Sequence, residues 1–140
     1  MIKYQELKIG DFVMADNDGD SRRGEVTRLN GDEKQVEVDT GAQCFWYETS
    51  QLSPLPVTEE ELLTLKFSKH VNEDGTLKYM KGAFRMLVPK EGDFSRMQIW
   101  YRDETRNISA PISLHTLQNH YYDLTKVYLN DENFDTVNTK

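Results

Sequence analysis

Five consecutive residues come closest to a recognisable chemical motif. Asp16-Asn17-Asp18-Gly19-Asp20 places side-chain oxygens at alternate positions, as a calcium loop of the EF-hand type begins. The rest of that pattern fails. Ser21 stands where the loop needs Gly, Thr27 stands where it needs a bidentate Glu, and the flanks read as strands. Asp16, Asp18 and Asp20 are thus weak metal candidates, and a polar β-turn loop is the plainer reading. Cys44 is the only thiol, and His70, His115 and His120 are the only imidazoles. A Cys–His nucleophile pair needs adjacency that no local spacing supplies here. Cys44 lies beside Trp46 in a strand pattern and reads as a buried, inert thiol. His115 and His120 stand five apart on different helix faces, a poor metal pair. No Gly-rich phosphate loop, Walker lysine, nucleophile elbow or zinc spacing appears, so the expectation is a protein that is not an enzyme, without cofactors. A small enzyme would need a pocket where Cys44 or a histidine meets a carboxylate with a perturbed pKa.

Three sets of residues could bind instead of react. Phe45 and Tyr47 share one face of a strand, with Trp46 on the other. With Phe12 they could cage a cation, or they could fill the core of a small barrel. Trp100 and Tyr101, beside Arg96, Arg102 and Arg106, could form a basic stacking surface for nucleic acid. His115, Gln118, Asn119 and Tyr122 lie at helical 3/4 spacing on the polar side of a final helix. Their amides could bind a ligand or tie the helix to a neighbouring sheet.

The elements that position these residues divide into two sets around Leu52 to Leu65. Before it come short strand patterns. These are Lys8 to Met14, Gly24 to Leu29, the clean alternation Gln35 to Asp39, Gln43 to Glu48, and a short piece at Leu52 to Leu55. Asn30-Gly31 is a strong tight-turn signal, and Thr40-Gly41 turns again. Pro54 and Pro56 then close the strand series. Thr58 with Glu61 forms a capping box, and Glu59 to Glu61 favour a helix N-terminus that carries Leu62, Leu63 and Leu65. After it, Leu77 to Met80 and Ala83 to Val88 flank a hairpin at Lys81-Gly82, and Met97 to Arg102 is strongly strand-like. Asn107 to Ile112 is extended. Ser113 can cap a helix through Leu124 whose apolar positions Leu114, Leu117, Tyr121 and Leu124 share one face. Val127 to Leu129 could add an extended piece, and Asn130 to Lys140 reads as a polar, frayed tail.

The strand series, with Ile9-Gly10-Asp11-x-Val13, Gly24-x-Val26, Val36-x-Val38, Trp46 and Leu52-x-Pro54-Leu55, resembles SH3-like barrels of the Tudor and KOW kind. That implies a small closed β-barrel over residues 1–57, and an α+β unit over 58–140 packed against it as one cooperative body. Leu62, Leu63 and Leu65 are expected between them. Overall the fold class is β-rich α+β, with an antiparallel sheet and one principal C-terminal helix. A longer pattern spans nearly the whole chain. It runs through Leu7-x-Ile9-Gly10, Leu52-x-Pro54-Leu55-x-Val57-Thr58-Glu59-Glu60-x-Leu62-Leu63 and Leu114-His115-x-Leu117-Gln118-Asn119-x-Tyr121-Tyr122. It resembles a group of short uncharacterised proteins common in Bacteroides-type gut bacteria, often near prophage or mobile-element genes. The resemblance implies no activity.

Charge and composition narrow the partners. The formal net charge is −7, which repels phosphate at long range and disfavours nucleic acid against a protein partner. One stretch departs from this: Lys66 to Arg106 carries nine basic and six acidic residues. No apolar run approaches a membrane span, the N-terminal residues lack a secretory h-region, and a single Cys suits a reducing compartment. The expectation is a cytoplasmic, non-enzymatic binding or adaptor module, with a nucleic-acid-associated protein as the alternative.

Overall fold

The computed structural model describes residues 2–129. The polar tail Asn130 to Lys140 lies outside them. The fold is β-rich α+β, with two antiparallel five-stranded sheets and one main helix near the C-terminus. Contacts group the described residues into two units, residues 2–56 with 113–120, and residues 57–112 with 121–129. Among the described residues no helix is long and apolar enough to cross a membrane.

The first unit holds β1 (Phe12–Asn17), β2 (Asp20–Asn30), β3 (Gln35–Asp39), β4 (Cys44–Glu48) and β5 (Leu52–Ser53). Their order is β4-β3-β2-β1-β5. β4 and β5 occupy opposite edges, so this sheet is not closed into a barrel. Asp18-Gly19 joins β1 to β2 with φ of 55° and 83°, between the paired residues Asn17 and Asp20. Two successive positive φ values are what a type I′ hairpin turn requires, and Asp-Gly supplies them. Asn30-Gly31 behaves differently. Its loop runs to Gln35, Asn30 Oδ1 accepts from the N–H groups of Asp32 and Glu33, and Lys34 takes the left-handed position. The Asn side chain there builds an Asx turn within a longer loop.

Alternation buries Val13, Ala15, Val26, Val36, Val38, Tyr47 and Leu52, joined by Ile2 and Leu7 from the N-terminal segment. A bulge at Thr27 breaks the β2–β3 register, and Thr27 Oγ1 donates to Glu37 Oε1 at 2.9 Å. Gly24 sits opposite Val13, where a Cβ would stand 2.5 Å from Val38 Cγ1 and 3.0 Å from the Asp39 carbonyl oxygen. Gly24→Ala should therefore overpack the core and cost about 1–3 kcal/mol. Urea melts read this directly, and an unchanged midpoint would contradict the close approach.

The second unit holds α1 (Glu59–Thr64), β6 (Ser68–Val71), β7 (Leu77–Lys81), β8 (Phe84–Val88), β9 (Met97–Tyr101) and β10 (Glu104–Ile108). The sheet is a simple meander in order β10-β9-β8-β7-β6. Thr58 caps α1 by accepting from the Glu61 N–H at 3.2 Å. The helix ends in a Schellman motif. Phe67 N–H donates to Leu62 O and Lys66 N–H to Leu63 O, with Lys66 at φ 73° where Gly is usual. Leu62 and Leu65 are fully buried, whereas Leu63 is 45% exposed and corrects the expectation of three packed leucines. Gly82-Ala83 makes the β7–β8 turn, with Gly82 at φ 61°, and Arg102-Asp103 makes the β9–β10 turn with Arg102 at φ 55°.

α2 (Leu114–Thr125) is the principal helix. Leu114, Leu117 and Tyr121 are buried, as the 3/4 spacing requires. Beyond α2 the chain forms no strand through Leu129. Tyr128 instead stacks on Tyr122, ring centroids 4.7 Å apart.

Candidate functional site

In the first unit the start of α2 forms a part-buried polar cluster around the buried His115. Ser113 Oγ lies 3.1 Å from His115 Nδ1, and His115 Nε2 lies 3.0 Å from Glu6 Oε1. The bond from His115 holds the Glu6 carboxyl below its ordinary pKa. Serine, imidazole and carboxylate in series resemble a hydrolytic triad in connectivity alone. A nucleophile must face a substrate, and this arrangement does not offer one. The His115 side chain is 2% exposed, Ser113 Oγ is also 2.9 Å from Thr116 Oγ1, and none of the clefts described below reaches them. The series reads as a structural tie.

Gln118 and Asn119 continue it. Gln118 Oε1 accepts from the Phe12 N–H and its Nε2 donates to Gly10 O, both at 2.8 Å. Asn119 Nδ2 donates to Glu6 O at 2.6 Å, and its buried Oδ1 has no partner among the described residues. The side of α2 expected to be polar is thus turned largely inward. Beside it, Asp11 is 2% exposed and its Oδ2 accepts from the Lys8 N–H at 2.9 Å. Burial pushes its pKa from 3.8 to about 7, against the opposing influence of the Lys8 bond and charge.

The other residues singled out from sequence are placed apart. Phe45 is exposed while Tyr47 lies in the core, ring centroids 6.4 Å apart, so they do not form an open cage. The recess beside them holds about 70 Å³, small for a ligand pocket, and Arg22, paired to Asp20, already lines it. Phe12 is covered by the Arg23 guanidinium at 4.2 Å. Asp16 bonds Ser21, Asp18 forms the hairpin turn, and no metal-ligating cluster occurs among the described residues. Cys44 corrects its expectation: it is exposed on the edge strand. Desolvation, then the Asp39 and Glu37 carboxylates, push its thiol up, so it stays protonated and poorly nucleophilic. A recess of about 460 Å³ is lined by Ile9, Trp46 and Arg28, but that guanidinium is already bonded to Glu37 at 2.9 and 3.0 Å.

The second unit carries a surface of different character. Strand register aligns Ser68, Met80, Arg85, Trp100 and Thr105 across the sheet. It likewise aligns His70, Lys78, Leu87, Gln98 and Asn107. These two rows share one face, because residues two apart on a strand point the same way. The opposite face carries Tyr79, Met86 and Ile99, all fully buried. The open face therefore holds Lys78, Arg85, His70 and an exposed Trp100, with no acidic residue in either row. A scan against protein-family models, a search of curated proteins and a search of solved structures each found no match.

Two shallow clefts flank Leu87 on this face. One, of about 210 Å³, is lined by Asn72, Lys78, Arg85, Leu87 and Trp100. The other, of about 420 Å³, includes Arg96, Gln98 and Asn107. Trp100 Nε1 donates to Gln98 Oε1 at 2.6 Å, and Gln98 Nε2 donates to Asn107 Oδ1 at 2.8 Å.

The stacking surface expected from sequence is thus rearranged. Trp100 belongs to it. Tyr101 points to the other side, Arg102 sits on the hairpin turn over the Tyr101 ring at 5.1 Å, and Arg106 lies in the opposite row, 3.8 Å from Asp123. Tyr122 is stacked on Tyr128. Lys78, Arg85, Gln98 and Asn107 escaped the sequence reading. Alternation alone puts Gln98 with Trp100, but register is needed to bring the neighbouring strands' residues beside them.

Proposed function

We propose that this protein is a non-enzymatic binding module whose seat for an anionic partner is the open face of the second sheet. The observation that carries this reading is charge segregation. The chain has formal net charge −7, yet neither outward row contains a carboxylate. The acids of this unit stand off those two rows, Glu73 and Asp74 among them in the β6–β7 turn, where Asp74 accepts from Thr76. Glu59 is paired with Lys69 at 2.9 Å and bonded to the Tyr79 hydroxyl, and Asp93 sits in the β8–β9 loop. An ordinary solvated face mixes both signs. A face cleared of one sign focuses a local potential that long-range repulsion by the rest of the chain does not erase.

The first unit serves this reading as scaffold. The return of β5 to β1 and the long β2, bulged at its centre-strand position between β1 and β3, support an SH3-like arrangement. Many binding modules share that arrangement, so it names no ligand.

A salt-gradient elution from immobilised heparin tests the seat. The wild-type chain should be retained at low ionic strength in spite of its acidity, and K78E/R85E should flow through. Passage of the wild type without retention at low salt would remove the proposal.

A further inference from the structure

We propose that the open face takes single-stranded nucleic acid, with one base stacked on Trp100, flanking phosphates on Lys78 and Arg85, and the Asn107 amide donating to the base. This rests on the reading that the face is a seat for an anionic partner, and it names that partner's class.

The first argument is the state of Trp100. Its ring is 42% exposed, and its only polar group, the indole N–H, is already bonded to Gln98. What remains to offer a ligand is the π face. Arg85 lies directly across the ladder from it. An exposed ring with a satisfied polar handle beside a guanidinium is a stacking platform with a phosphate contact at its edge.

The second argument is the polarity of the amide chain. An indole N–H can only donate. Gln98 must therefore turn its Oε1 toward Trp100, which directs its NH₂ group to Asn107. Asn107 in turn must present Oδ1 to receive it, which leaves its own NH₂ group as the donor end of the series. The orientation of both amides is forced by the indole. The series Trp100, Gln98, Asn107 ends in donors, as do Lys78 and Arg85. A surface that terminates in donors is complementary to acceptors, which are phosphate oxygens, base carbonyls and ring nitrogens.

A duplex would leave Trp100 without a partner, because its bases are already stacked on each other. The acidic side chains of a peptide would satisfy the cations but have no aromatic face to lay on the ring. A single strand offers both, and the two clefts beside Leu87 give it adjacent places to lie.

Fluorescence anisotropy on the full chain tests this. The probes are labelled oligothymidylate, a labelled duplex of the same length, and oligoglutamate and heparin as competitors. Oligothymidylate should bind at least tenfold tighter than the duplex. W100A should weaken it about tenfold while leaving the salt slope unchanged. K78A/R85A should flatten a log–log salt slope of about −1.4, the value for two phosphate contacts on a single strand. W46F should bind as wild type does. Equal affinity for single strand, duplex and heparin, with W100A unaffected, would overturn the single-strand inference and leave a charge-only seat. Oligoglutamate that binds as tightly as oligothymidylate would assign the face to a protein partner and overturn it too. No binding of any probe at low salt would remove this inference and the anionic seat together.

Discussion

Gln118→Leu is expected to unfold the protein about 10 °C below the wild type. The reasoning starts from two backbone groups. The Phe12 N–H and the Gly10 carbonyl flank the entry to β1, and each meets one atom of the Gln118 amide at 2.8 Å. The amide has one donor edge and one acceptor edge, and so does a strand neighbour, so Gln118 stands in for a missing strand. Its side chain is 3% exposed, so water cannot replace it. Leucine fills similar space and satisfies neither group. Leaving a buried donor or acceptor unpaired costs about 1–3 kcal/mol each. A loss of about 3 kcal/mol in a chain of this size shifts the melting temperature by about 10 °C. Gln118→Glu is the discriminating control. Its carboxylate accepts from Phe12 but cannot donate to Gly10 until it is protonated. Its deficit should shrink as the pH falls toward 4, whereas the leucine deficit should not. A leucine variant that melts within a degree or two of the wild type would show that the amide bridge contributes little.

The same residue shows where sequence reading stops. Gln118 falls on the polar side of α2, where helical spacing leaves open whether its amide meets a ligand or a neighbouring sheet. Periodicity records which positions are apolar. It does not record whether a polar side chain finds a buried partner, and here the partners lie more than a hundred residues away. Elements set by local chemistry were legible. The alternation of Gln35 to Asp39, the Thr58 cap of α1 and the 3/4 leucines of α2 each appear where the sequence places them. Elements set by their neighbours were not. Ser-Lys-His-Val at β6 has no alternating pattern, and its strand exists because β7 supplies a ladder. The two Gly turns exchanged roles for a similar reason. Asp18-Gly19 joins strands in register and adopts the tight turn, while Asn30 spends its side chain on an Asx turn. The candidate site divides the same way. An exposed Trp100 is readable from one strand, but its setting of Arg85, Lys78 and Asn107 is assembled from three others.

Net charge illustrates a further step from composition to surface. A total of −7 argues against phosphate at long range, where charges act as a sum. At contact distance, screening confines the relevant charges to those within about 8–10 Å. The open face of the second sheet then presents Lys78 and Arg85 without a carboxylate in their rows. The proposed seat depends on distribution, which only register reveals, rather than on the sum.

Asp11→Asn is expected to make the protein more stable at pH 8 and to abolish a fall in stability that the wild type shows as pH rises from 4 to 7. Asp11 caps the turn Lys8 to Asp11 from inside. Its Oδ2 receives the Lys8 N–H, and its own N–H donates to Lys8 O at 3.1 Å. One hydrogen bond does not compensate the lost hydration of a charged carboxylate that is 2% exposed, so its pKa rises to about 7. The unfolded chain releases this proton near pH 3.8 and the folded chain near pH 7. Between those values the folded state binds the extra proton, so stability is fully present below about pH 4, declines up to about pH 7, and is level above it. The full decline is on the order of 4 kcal/mol, the shift multiplied by 1.36 kcal/mol per pKa unit. Carboxyls with lowered pKa act in a separate window. Glu6 is held down by His115, Glu37 by Arg28 and Glu59 by Tyr79 and Lys69. Their stabilisation is present above their unfolded values and is lost only as pH falls below about 4.5. Asparagine keeps an oxygen for the Lys8 N–H and carries no charge. The variant should therefore be level between pH 5 and 8, and it should exceed the wild type at the alkaline end. Urea melts across that range measure both curves. Parallel curves for the two proteins would mean that Asp11 ionises without penalty and that the turn is wetter than its burial implies.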